Sequence, residues 1–145
     1  MEHHLILVSK MAEERFMRIA IDKAEEGIAM GQEPFGACIV RDGKIISVAH
    51  NTALADPDVT AHAEMNAIRM ACKVLDTIDL SGCEVYATFK PCRMCQEACE
   101  RANISKIFYG SGPEDIGSTP GESSIQIEAG LLRDECLEML RRARK

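Results

Sequence analysis

His62-Ala63-Glu64 and, further along, Pro91-Cys92-Arg93-Met94-Cys95 are the residues in this chain best suited to chemistry. Cys92 and Cys95 are three apart, so on a helix both sulfurs face one point. Pro91 suits the first turn of such a helix, where a missing N–H costs nothing. In that turn the unpaired N–H groups and the helix dipole favour thiolates, the form that binds metal. His62, in the first turn of a second helix, supplies a third ligand. Three protein ligands leave the fourth position of a tetrahedral zinc ion for water, which marks a catalytic site and not a structural one. Two thiolates lower the ion's effective charge and make the held water less acidic, so a nearby base gains value. Glu64 is that base, taking a proton from the water and passing it to the group that leaves.

The cysteine pair also has structural and redox readings. A structural zinc half-site needs a second pair, and Cys72 and Cys83, the available completers, fit no common finger spacing. A redox pair would use the same activation at a helix end. Cys99 lies one turn beyond Cys95 and is expected to pack in the core.

Several elements must position these groups. Residues 11–30 read as an amphipathic helix with Met17, Ala20, Ile21, Ala24 and Ile28 on one stripe, closed by Gly31. Residues 35–40 and 45–49 are short apolar runs joined by Arg41-Asp42-Gly43-Lys44, a hairpin signal. Residues 50–60 form a polar loop. Residues 61–75 read as a helix with Met65, Ile68, Ala71, Cys72 and Leu75 inward. Strands are expected at 83–89 and 104–109, flanking a helix that ends near Arg101. Residues 110–124, rich in Gly, Ser and Pro, form a long loop, either a lid or a surface connection. A short strand at 125–127 and a helix over 131–144 close the chain. Strands alternating with helices imply an α/β sandwich of three layers.

The 145 residues fit one domain spanning 1–145, with 46% hydrophobic and 28% charged residues. No apolar run approaches the ~20 residues of a membrane span, and the start carries no cleavage-site pattern. Seven cysteines are an odd number, which disfavours a disulfide framework and suits a reduced, cytoplasmic setting. A net charge of −6 and 4% aromatics disfavour long nucleic acids. The one basic cluster, Arg141, Arg142, Arg144 and Lys145, complements a helix C-terminus.

With these residues in place, the chain from about residue 11 onward resembles the cytidine deaminase-like superfamily, whose zinc enzymes carry an H-x-E … P-C-x-x-C pattern. It is most similar to the branch of guanine, cytosine and tRNA adenosine deaminases. Pro34-Phe35-Gly36-Ala37, Asn51, Thr60-Ala61-His62-Ala63-Glu64, Ala67-Ile68-Arg69, Pro91-Cys92-Arg93-Met94-Cys95 and Phe108-Tyr109-Gly110 carry the likeness. The resemblance implies a three-layer α-β-α sandwich around a five-stranded mixed sheet. It makes His62, Cys92 and Cys95 zinc ligands and Glu64 the proton shuttle. It also implies that Asn51 contacts substrate, though an asparagine shaping its own loop is the alternative. Phe35 would line the pocket or simply pack. The N–H groups of Ala63 and Glu64 would meet a substrate carbonyl.

The chain departs from this pattern in three places. Lys90 stands where many members have glutamate, a change expected to alter the electrostatics of the pocket while leaving catalysis intact. Gln96 and Glu97 replace small residues, which bears on subunit packing and the pocket wall. The tail lacks the aspartate- and aromatic-containing segment of the bacterial guanine enzymes. The expected activity is zinc-dependent hydrolytic deamination of a small nucleobase or nucleoside, guanine or cytosine first, in a homodimer. Adenosine deamination within tRNA is the alternative, and a non-catalytic zinc scaffold of the same fold is a third.

Overall fold

A computed structural model describes residues 2–119 and 121–144. In chain order the elements are α1 (Glu2–Ala29), β1 (Gly36–Arg41), β2 (Lys44–His50), α2 (Ala63–Leu75), β3 (Cys83–Phe89), α3 (Arg93–Arg101), β4 (Lys106–Ser111), a 3-10 turn (Pro113–Ile116), β5 (Gln126–Ala129) and α4 (Arg133–Ala143). The five strands form one sheet in the order β2-β1-β3-β4-β5. β1 runs antiparallel to both β2 and β3, while β3, β4 and β5 are parallel, so the sheet is mixed.

Alternation along the strands builds the layers. Ala37, Ile39, Val85 and Ile107 face one side and pack with Ala67, Ile68 and Ala71 of α2 and Cys99 of α3. Cys38, Val40, Tyr86 and Phe108 face the other and pack with Phe16, Met17, Ala20 and Ile21 of α1 and Cys136 and Met139 of α4. Tyr86 and Phe108 stack at 4.5 Å between ring centroids. The three-layer sandwich expected from the sequence is the fold observed.

The β1–β2 turn carries positive φ at Asp42 (51°) and Gly43 (74°), the backbone that a tight hairpin requires. Gly36, at the start of β1, is there for space. A Cβ on it would stand 2.2 Å from the Ala20 carbonyl oxygen of α1. The missing side chain lets the helix lie close against the sheet.

Some boundaries differ from those expected. α1 begins at Glu2 and not at residue 11, because its added turns bury nothing and leave no periodic trace. Leu5, Ile6, Leu7 and Val8 are all exposed there. β4 is Lys106–Ser111 and not 104–109; its parallel register with β3, from Glu84↔Lys106 to Phe89↔Ser111, sets the frame. β5 is likewise set by β4, at Gln126–Ala129. Met65 is only half-buried, and the inward stripe of α2 runs through Glu64, Ala67, Ile68 and Ala71. All seven cysteines are free, with Cys72 half-buried and Cys38, Cys83, Cys99 and Cys136 buried. Among the described residues no helix is long and apolar enough to cross a membrane.

Candidate metal centre and cavity

His62 and Cys92 are the N-cap residues of α2 and α3, both with extended backbone. Each stands one position ahead of the first turn where the spacing had placed it, and Pro91 therefore precedes the cap. An N-cap side chain leans across the open end of its helix instead of lying along its flank. That is how two separate helices can aim donors at one point. Cys95, on the first turn of α3, completes the group. The loop leading to His62 is pinned by polar contacts. Asn66 Nδ2 donates to the His50 carbonyl (3.1 Å) and to Thr52 Oγ1 (2.9 Å), and Thr52 N donates to the Ala61 carbonyl (3.0 Å).

The donor atoms are His62 Nδ1, Cys92 Sγ and Cys95 Sγ, and they form a tight triangle. The sulfurs are 3.7 Å apart, and the nitrogen lies 3.6 Å from Cys92 Sγ and 3.5 Å from Cys95 Sγ. A tetrahedral ion with Zn–S of about 2.3 Å and Zn–N of about 2.0–2.1 Å spaces its ligand atoms by about 3.8 and 3.6 Å. The triangle therefore fits zinc. It is the one group of three metal-type donors found among the described residues.

Burial, then the charge of Glu64, pushes the metal-free Cys95 thiol well above its ordinary range. A redox cysteine needs a lowered pKa. A bound cation would deprotonate the thiol outright.

Glu64 is 6% exposed and sits beside these donors. Burial lifts its carboxyl to about 7, against the pull of hydrogen bonds from the Cys95 thiol and from its own backbone N–H. A carboxyl near neutrality can both accept and return a proton.

A cavity of about 800 Å3 opens over these groups. His62, Ala63 and Glu64 bring the start of α2 to it, and Cys92, Arg93 and Gln96 the start of α3. Phe35 and Phe89 face it from neighbouring strand ends, because β1 and β3 are antiparallel. Their rings meet edge to face at 5.8 Å. Pro113, Gly121 and Glu122 of the long loop complete the lining together with Lys90 and Pro91.

Of the residues singled out by sequence, Phe35, His62, Ala63, Glu64 and Cys92 line the cavity, and Cys95 lies buried behind them. Asn51 is buried and is not among the lining residues; its Oδ1 accepts from Ala53 N at 2.9 Å. Gln96 turns inward, and its Nε2 donates to the Pro91 carbonyl (2.9 Å). Glu97 stays outside and pairs with Arg93 (3.5 Å). Sequence reasoning missed Phe89 as a wall residue. Its place directly before Lys90-Pro91-Cys92, at the end of a strand, was the available signal.

A helix-flanked mixed sheet with a histidine and two cysteines converging beside a buried carboxyl defines a class, the zinc-dependent hydrolases of cytidine deaminase-like fold. Residues 10–111 match the cytidine and deoxycytidylate deaminase zinc-binding region, and the chain belongs to that family. It is 44% identical over 101 residues to a tRNA-specific adenosine deaminase of Aquifex aeolicus (strain VF5), covering 70% of this chain and 67% of that one. It is 42% identical over 116 residues to a guanine deaminase of Bacillus subtilis (strain 168), covering 79% and 74%. Among solved structures, one from studies of A-to-I editing by tRNA:A34 deaminases superposes with a TM-score of 0.79 at 34% identity, covering 87% of this chain and 99% of that one. A guanine deaminase of Nitrosomonas europaea gives 0.82 at 26% identity, covering 90% and 83%.

Proposed function

We propose that the protein deaminates a small aminated nucleobase or nucleoside by hydrolysis, with guanine and cytosine the leading candidates, and works as a homodimer. Water adds to the ring carbon that bears the amino group, the carbon–nitrogen bond breaks, and ammonia leaves. The observation that carries this reading is the buried carboxyl of Glu64 beside three donors at tetrahedral spacing. His62 Nδ1, Cys92 Sγ and Cys95 Sγ would hold zinc, which when bound activates water as a nucleophile at neutral pH. Glu64 takes a proton from the attacking water and delivers it to the departing nitrogen. Phe35 and Phe89 give the flat ring an aromatic wall, and the Ala63 N–H at the start of α2 faces a ring carbonyl.

The small-substrate reading is supported by the loop residues Pro113, Gly121 and Glu122, which bound the cavity, and by the net charge of −6. Arg142, in the one basic cluster, is occupied by Glu25 at 3.1 Å. A second reading, adenosine deamination within tRNA, is favoured by the identity with the Aquifex aeolicus enzyme. The test is to incubate zinc-loaded protein with guanine, cytosine, adenine, their nucleosides and a tRNA anticodon stem-loop, and to follow products by mass spectrometry. Conversion of a base or nucleoside is expected. Conversion of the stem-loop alone would replace this reading with the second, and no conversion at all would overturn both.

A further inference from the structure

We infer that Lys90 is a specificity-determining residue whose ammonium group meets a phosphate carried by the substrate. The inference rests on the deaminase reading and narrows its substrate from a free base or nucleoside to a phosphate-bearing form, a mononucleotide or an RNA strand.

Lys90 follows the last residue of β3 and is only 8% exposed, yet it lines the cavity. Its Nζ makes one hydrogen bond, to the Gly121 carbonyl at 3.2 Å. An ammonium has three donors, so this bond leaves two without a protein acceptor among the described residues. None of the ion pairs among those residues includes it. Glu122, the acid nearest to that bond in sequence, is exposed and makes no ion pair with it. Glu64, the other acid on the lining, makes no ion pair with it either.

A buried charge without an opposite partner is a cost to folding, and a neutral carbonyl offsets only part of it. Packing alone would favour an apolar residue at this position. The arrangement is explained when the missing partner is an anion that arrives with the ligand. A neutral ring carbonyl would not require a full charge, since backbone N–H groups at the start of α2 already serve that purpose. Among compounds built on nucleobases the common anion is phosphate. The cavity, at about 800 Å3, has room for it. Ligand sites commonly span about 300–1,000 Å3, and a bare base needs only the lower part of that range. Arg93 does not supply the charge, because its side chain is 94% exposed and is paired with Glu97.

The phosphate can belong to a mononucleotide or to an RNA strand, and the experiment separates the two. Uridine, inosine and xanthosine are deaminated products and do not react further. Each is titrated calorimetrically against its 5′-monophosphate on zinc-loaded protein, and a tRNA anticodon stem-loop is titrated alongside. Wild-type protein is expected to bind at least one monophosphate about tenfold more tightly than its nucleoside, the size of one charge-assisted hydrogen bond. Lys90→Gln should erase that advantage and Lys90→Arg should keep it. Lys90→Met, which preserves the buried stem, takes the place of Lys90→Gln if that variant does not fold. No advantage for mononucleotides, with stem-loop binding weakened about tenfold by Lys90→Gln and not by Lys90→Arg, would place the phosphate on RNA. Equal affinities for nucleoside and monophosphate with unchanged stem-loop binding overturn the inference, as does an advantage that survives Lys90→Gln. Failure of the deaminase reading looks different. It would leave every base, nucleoside and stem-loop unconverted, whereas failure of this inference leaves conversion intact and insensitive to phosphate.

Discussion

Glu64 and Cys95 have opposite needs at the same place. The thiol donates to the carboxylate, and the charge of the carboxylate holds the thiol protonated. A cation held by Cys95 would take the place of that proton, and Glu64 would then be left to accept a proton from water. Glu64→Ala should therefore leave zinc stoichiometry and the melting temperature close to wild type, while kcat falls by about 10²–10⁴, the usual worth of a general acid–base group. Steady-state kinetics paired with metal analysis checks this; a variant with unimpaired kcat would rule out the proposed shuttle. The donors were legible in the sequence because histidine and cysteine types at helix-turn spacing have few other uses. Phe89 was not, since whether a side chain at a strand end faces a cavity depends on the neighbouring layers, whereas Lys90 and Gln96 stood out only as departures from the family pattern.

Elements keep their places here through close approaches that periodicity cannot see. The stripe of α1 was readable from Met17 to Ala24, but not how near that helix comes to β1. At Gly36 the obstacle to a side chain is the Ala20 carbonyl of α1, part of a hydrogen-bonded helix that cannot move aside locally. Gly36→Ala should destabilise by about 1–3 kcal/mol, the common cost of overpacking. At this chain length that lowers the melting temperature by about 2–4 °C for each kcal/mol. Calorimetry with an unchanged melting temperature would contradict the close α1–β1 approach. A second constraint lies in the connection between α2 and β3. Asp79 Oδ1 accepts from Ser81 N (3.1 Å), from Ser81 Oγ and from Asn103 Nδ2 (3.2 Å), tying that connection to the turn after α3. The Ser81 hydroxyl first, then Asn103, hold its carboxyl below the ordinary aspartate range. A carboxyl lowered on folding stabilises above its unfolded pKa, and the contribution disappears as pH falls through the folded value. Denaturation at several pH values should show wild type above Asp79→Asn at pH 6, with the gap closing in the acid range below the ordinary aspartate pKa. A gap that stays constant with pH would remove the carboxylate from this role.

At the scale of the whole molecule, the donors join the N-terminal ends of two helices that pack on the same face of the sheet. α2 presents His62 and α3 presents Cys92 and Cys95, each from its open N-terminal end, so an ion held by all three closes the gap between those ends. Two apolar layers, one around Ile39, Val85 and Ile107 and the other around Tyr86 and Phe108, hold the sheet and its helices together apart from these donors. Removing zinc should therefore lower stability without abolishing structure. A ligand that binds only the folded state stabilises it by about 4 kcal/mol when free ligand exceeds Kd a thousandfold. Chelation should lower the melting temperature by several degrees, and far-ultraviolet circular dichroism should stay native at 25 °C. The same treatment should unmask Cys92, which is exposed and protected from a thiol reagent only while it is a ligand. Rapid labelling of Cys92 after chelation, and slow labelling before it, would tie the loss of stability to this site. Cys92→Ala should reproduce the lower melting temperature in untreated protein and show no further drop on chelation. A Cys92→Ala protein that retained full zinc and the wild-type melting temperature would instead assign the ion to other donors. Cys92 stands at a helix cap. There it can leave the metal and meet solvent without disturbing the helix behind it, which is why the cavity can lose its ion while the sheet keeps its order.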